Sequence, residues 1–261
     1  MSATVERLNL WTSGEEGYHT FRIPALVVTA SGTLLAFCEG RRDSMWDTGS
    51  IDMLVKRSED GGRTWGPAIP VWRDPGHTCG NPCPVVDRVT GAVWLLMTWN
   101  RGDDREREII AGTSRDTRRA FVTHSADDGR TWAAPREITA DVKRPGWTWY
   151  ATGPGAGIQL ERGACAGRLV IPCDFVGPPG SDWNGSHVLL SDDHGATWRL
   201  GGICPQRKVN ECEAVELADG RLLINMRNYE RTTTCRQVAF SDDGGETWRD
   251  PGFDRTLIEP F

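Results

Sequence analysis

The chain has 261 residues, 38% of them hydrophobic, and a formal net charge of −6 with no long basic run. One sizeable core is affordable, so residues 1–261 read as a single domain, and the acidic balance argues against nucleic acid or an anionic membrane as a partner. No apolar stretch approaches the roughly 20 residues of a membrane helix, and residues 1–7 lack a secretory apolar core; the sequence as written reads as cytoplasmic, or as secreted or periplasmic if residues precede Met1.

In chain order, short strand-forming runs alternate with turns. Residues 25–28, 33–37 and 53–55 are rich in Val, Leu and Phe, and they are followed at 58–65 by the pattern Ser-x-Asp-x-Gly-x-Thr-Trp. After Cys79 and Cys83 comes another apolar run at 93–97, then a charged block from Arg101 to Arg119 that reads as a solvated loop or a binding rim. The octapeptide returns at 125–132. Strand runs at 169–171 and 187–190 flank a loop rich in Gly and Pro at 177–181, and the third and fourth copies stand at 191–198 and 241–248, on either side of a strand at 222–224. Helical signals are poor throughout, and the fold class is all-β with antiparallel sheets.

The four copies start 67, 66 and 50 residues apart, roughly one four-stranded propeller blade per repeat. Each reads as a tight turn between strands. Ser and Asp bond to the turn's own backbone, Gly permits a positive φ, and Trp closes onto the blade core. That turn chemistry accounts for every position, which makes four metal or acid–base sites the weaker reading. The eight cysteines are scattered and read as buried thiols, with Cys79-x-x-x-Cys83 the nearest approach to a metal or redox pair.

One segment, Tyr18-His19-Thr20-Phe21-Arg22-Ile23-Pro24, sets an arginine just before an apolar strand. Together with the four boxes, its Phe-Arg-Ile-Pro resembles the signature of the sialidases (neuraminidases). The resemblance runs from about Tyr18 to Phe261 and implies a six-bladed β-propeller, here with about four blades plus part of the next. It further implies an exo-α-sialidase that removes terminal sialic acid from glycoconjugates with retention through a tyrosyl intermediate. A trans-sialidase uses the same groups. The rival class is a non-catalytic Asp-box propeller that binds glycans or acts as an interaction module.

Site residues follow from the same resemblance. Arg22, Arg41 and Arg227 are expected to bind substrate, Asp47 to be the acid/base catalyst in preference to Asp43, and Glu211 to activate a tyrosine. Glu106 or Glu108 is expected to contact ring substituents, and Glu108 is taken; the 147–150 segment, through Tyr150, supplies an aromatic wall, and Asp174 stands on the same rim. No metal or organic cofactor is implied. The partner is a sialylated glycan, and the oligomeric state is left open. The family's third arginine and its nucleophilic tyrosine are expected beyond Phe261, so the 261-residue chain alone is expected to be inactive.

Elementary chemistry explains the residue types. Sialic acid carries its carboxylate on the anomeric carbon, and a guanidinium fork matches a carboxylate in the plane. A carboxylate nucleophile would be repelled there, which favours tyrosine; with an ordinary pKa near 10, tyrosine needs a base beside it. Asp47 must be protonated when the glycosidic oxygen departs, so a rate optimum on the acidic side of neutral is expected.

Overall fold

The computed structural model describes residues 7–259; residues 1–6 and 260–261, the two ends of the expected domain, lie outside them. Among the described residues, seventeen strands form four antiparallel units, the first two joined by one parallel pairing of Ile51 with Thr78. The first holds β1 (Thr20–Val28), β2 (Leu34–Arg41), β3 (Ile51–Ser58) and β4 (Ile69–Trp72); the second holds β5 (His77–Val86), β6 (Val93–Arg101), β7 (Arg119–Ser125) and β8 (Arg136–Glu137). The third contains β9 (Tyr150–Thr152), β10 (Ile158–Gln159), β11 (Leu169–Val176), β12 (Asn184–Ser191) and β13 (Arg199–Ile203), with β9 and β10 sharing β11 as partner. The fourth runs β14 (Val209–Glu216), β15 (Leu222–Asn228), β16 (Cys235–Ser241) and β17 (Arg249–Ile258). These are blades of a β-propeller, with β1, β5, β9/β10 and β14 as the inner strands.

The cores lie between blades, because strand alternation buries both faces of a central sheet. On β6, Val93, Leu95 and Met97 join Phe37, Met53 and Val55 of the first blade, while Leu96 turns the other way to meet Ile171, Phe175 and Leu189 of the third. Likewise Val170, Val188 and Leu190 of the third blade pack with Leu222, Ile224 and Met226 of the fourth.

The boxes build these contacts. In every copy the Ser Oγ accepts from the box Gly N at 2.8–2.9 Å, and the Asp accepts from the Thr backbone N and hydroxyl. The tryptophans go further than closing their own blade. Trp132 packs edge-on against Phe37 of the first blade, Trp198 meets Trp94 of the second, and Trp248 donates to Gly202 O of the third at 3.1 Å. Gly195, at φ +90°, would place a Cβ 2.2 Å from Trp94, so left-handed backbone and close blade contact both exclude a side chain there.

Asp127 tests the structural role of the box. Burial alone pushes its carboxyl up, yet hydrogen bonds from Thr131 and Ser125 outweigh this and hold it at about 2. A native pKa below the unfolded value of about 3.9 stabilises the fold above that pH, a contribution lost as the pH falls towards 2. Asp127→Ala should lower stability by about 1–2 kcal/mol, a fall in Tm of roughly 2–8 °C at pH 7. Thermal melts of the two proteins should converge as the pH drops from about 4 to about 2; a constant gap would contradict this account.

Candidate active-site cleft

All four inner strands are interrupted at one level. In β1 the register slips between Arg22 and Ala25, in β5 between Gly80 and Cys83, and in β14 between Val209 and Cys212. Ile23 and Asn81 stand at φ +57° and +55° in the first two breaks, and Lys208, at +58°, directly precedes the third strand. In the third blade the inner strand is split in two, with Gly153-Pro154-Gly155 between β9 and β10. Bulges re-aim side chains, and these breaks open a cleft where the blades meet. A β-branched residue in the left-handed region costs about 1–3 kcal/mol and persists only where its surroundings enforce it, as Pro24 and the bulge do for Ile23.

The cleft is lined by four arginines (22, 41, 118 and 227) and five carboxyl groups (Glu39, Asp47, Glu106, Asp174 and Glu211), with Ile23, Asn81, Trp149, Ala151, Asn210 and Tyr229 between them. Arg22 Nη1 lies 3.2 Å from Asp47 Oδ1, and Arg227 Nη1 lies 3.3 Å from Glu211 Oε2. Each of the two guanidiniums makes this one long ion pair among the described residues and is partly open to solvent, and both also line the adjoining mouth with Pro24 and Pro154.

Arg41 is of a different kind. It is buried, giving Nε and Nη2 to Glu39 Oε2 at 2.9 and 2.6 Å, Nη2 to Asp47 Oδ1 at 2.6 Å, and Nη1 to Met45 O at 2.5 Å. Its fork is thus committed to holding the Asp47 loop. Glu39, to which the sequence reading gave no role, anchors Arg41 and also accepts from Asn81 N at 2.8 Å, tying the first blade to the second.

Arg118 was missed as well. It lies near the end of the charged block that reads as a solvated loop or a binding rim, yet it is only 2% exposed. It donates to Thr98 Oγ1, Asn100 Oδ1 and Asn81 Oδ1, and its Cζ lies 3.9 Å from the centre of the Trp149 ring. Burial among these neutral acceptors brings its guanidinium down to about 10. No motif announces it, because its burial depends on Trp149 arriving from the third blade.

Two expectations are corrected. Of Glu106 and Glu108, the former reaches the cleft; Glu108 reaches back to cap helix α1 (Glu106–Ala111), accepting from Arg105 N at 3.0 Å. Burial raises Glu106, Arg118 opposes, and Asp47 and Glu211 raise it further. Tyr150 is fully buried between the second and third blades, stacked with Trp147, and strand alternation gives the wall position to Trp149 instead. Trp46, next to Asp47 in the chain, is 69% exposed and leaves the Asp47 side chain half open.

Asp174 does line the cleft, on its floor rather than its rim. It is 1% exposed, Oδ1 accepts from Asn210 Nδ2 at 2.8 Å, and Oδ2 has no partner among the described residues. Burial raises it well above the ordinary carboxylate range, with Glu211 adding to the effect. Tyr229 donates to Asn210 Oδ1 at 3.1 Å and lies beside Arg227, its ring centre 5.2 Å from Cζ.

An Asp-box propeller with an arginine- and carboxylate-lined cleft at the meeting of its inner strands is the class that fold and site define. The chain belongs to the BNR repeat-like domain family, whose model matches residues 15–256. It is 37% identical to a sialidase of Micromonospora viridifaciens over 97% of this chain and 39% of that protein. With Sialidase-3 of Rattus norvegicus it shares 32% identity over 97% of this chain and 63% of the relative. Among solved structures, the Hadza microbial sialidase Hz136 superposes with a TM-score of 0.81 at 30% identity, over 91% of this chain and 47% of that one. The chain therefore spans about two-fifths to three-fifths of the length of these curated relatives.

The placement of Tyr150 has a direct check. Its hydroxyl has no hydrogen-bond partner among the described residues, so Tyr150→Phe removes an unsatisfied buried group. Melting temperature should hold or rise slightly, and affinity for any ligand of the cleft should stay unchanged. A marked loss of affinity would return Tyr150 to the binding wall.

Proposed function

We propose that this chain carries the substrate-holding and proton-transfer part of an exo-α-sialidase acting on sialylated glycans. The observation that carries the reading is the convergence of Arg22 and Arg227, from the first and fourth blades, on one cleft, with Asp47 beside one and Glu211 beside the other. An α-keto acid sugar presents its carboxylate to the two open guanidiniums, which fix the anomeric carbon near Asp47. Asp47, steadied by Arg41, protonates the leaving oxygen and later takes a proton from water.

Glu211 acts as the base for a tyrosine nucleophile. Among the described residues no tyrosine donates to it: Tyr18 donates to Asp52 at 2.7 Å, Tyr150 is in the core, and Tyr229 donates to Asn210. On the floor, Asp174 and Arg118 offer a donor or acceptor to the sugar's other substituents. Glu106 stands at the wall. The half-open Asp47 and the two open arginines favour this reading over a purely structural propeller, whose ion pairs have no reason to stay incomplete. The same groups serve transfer to water or to a second glycan.

The domain fits a larger ring. Leu26 and Val28 of the first blade and Val215, Leu257 and Ile258 of the fourth are exposed, whereas the second and third blades bury apolar residues on both sides. No described helix is long and apolar enough to cross a membrane.

Calorimetric titration of the chain with the 2,3-didehydro glycal of N-acetylneuraminic acid tests the proposal. Binding should be measurable, weakened roughly ten- to a hundredfold by Arg22→Ala or Arg227→Ala, and changed less than about threefold by Asp47→Ala. Absence of binding, or an equal loss in all three variants, would overturn it.

A further inference from the structure

The chain has twelve tryptophans, and eleven are buried or half-buried; Trp46 alone is exposed. Its neighbour Met45 is also exposed, at 56%, so the loop between β2 and β3 carries an apolar patch directly beside Asp47. Such a residue ordinarily gains stability by burial, and the fold forgoes that gain here.

The backbone that bears Trp46 is anchored on both sides. Arg41 holds Met45 O at 2.5 Å and Asp47 Oδ1 at 2.6 Å, and Trp46 N donates to Ser44 Oγ at 3.3 Å. Arg41 is itself locked to Glu39, and the neighbouring Arg42 is paired with Asp52 at 2.5 Å. The two arginines that lead into the loop are therefore already engaged, which leaves an uncharged aromatic face for a partner.

We propose that Trp46 is a platform for the neutral sugar ring on the far side of the scissile bond, the ring that leaves when sialic acid is released. This rests on the assignment of Asp47 as the acid, and the remainder is covalent geometry. A general acid must come within about 2.5–3.0 Å of the oxygen it protonates, and the departing pyranose is bonded to that oxygen. The Cα atoms of residues 46 and 47 are about 3.8 Å apart, so an exposed indole on residue 46 lies within reach of the ring bonded to that oxygen. A pyranose presents a face of C–H groups, positively polarised at their hydrogens, and the indole face is electron-rich and apolar. Trp46 is thus a specificity-determining residue for the aglycone, distinct from the groups that grip the acidic sugar.

Ligand-observed saturation-transfer NMR with thio-linked sialyllactose, whose glycosidic sulfur blocks hydrolysis, reads each ring separately. In the unaltered 261-residue chain, protons of the sialic acid and galactose rings should both receive saturation. In Trp46→Ala the galactose signal should be lost while the sialic acid signal is kept, with Kd rising roughly two- to tenfold; Trp46→Phe should restore most of both. A silent galactose ring in the unaltered chain, or an equal loss from both rings in Trp46→Ala, would overturn the platform. Silence of both rings in the unaltered chain would instead remove the sialidase reading, and the platform with it.

Discussion

The cleft exists because four inner strands fail to stay regular at the same level. Regular strands would point alternate side chains into the neighbouring blades, where apolar residues belong, and no arginine or carboxylate would meet another across the centre. The slip at Ile23-Pro24, the bulges at Asn81 and at Asn210-Glu211, and the Gly-Pro-Gly break of the third blade turn side chains from four blades onto one space. What keeps these breaks in place is the packing between blades: the Asp-box tryptophans and glycines lock each sheet to the one before it, so local strain at residues such as Ile23 is held by long-range contacts.

Within the cleft the charges divide into two sets. Arg41 and Glu39 are buried and mutually satisfied, and they serve as the frame for Asp47. Arg118 belongs with them, being buried and held by neutral oxygens and the Trp149 face. Arg22 and Arg227, by contrast, each keep one long ion pair and an open side. This division separates a frame from open groups: a fully paired arginine has nothing left to offer an anion, and an unsupported one has no fixed direction. The raised carboxyls, Glu106 and Asp174, lessen the mutual repulsion that five ionised groups would otherwise exert within the cleft.

Much of this was legible in the linear order of residues. The octapeptide declared four turns and so four blades, and its Ser, Asp and Thr make the bonds that turn chemistry requires. Arg22, Asp47, Glu211 and Arg227 were readable because each sits in a motif whose neighbours fix it. The failures have a common cause. Glu108 and Tyr150 lie one or two residues from the side chains that do reach the cleft, and a strand or a helical turn sends adjacent residues to different faces, so small errors of phase exchange wall for core. Arg118 lay in a run of charges that only tertiary burial distinguishes from a solvated loop.

By itself, then, the sequence determined the repeat, the all-β class and the identity of four charged residues that meet in the cleft, Arg22, Asp47, Glu211 and Arg227, since these are properties of residue type and local spacing. Tertiary structure alone decided which arginines are bound into the frame and which stay open, that Trp149 and Glu106 form the wall, that Asp174 lies at the floor with an oxygen unpaired among the described residues, and that one tryptophan of twelve faces solvent. Burial is set by segments that meet only when separate blades pack, as Trp149 covers Arg118 and Asn210 holds Asp174.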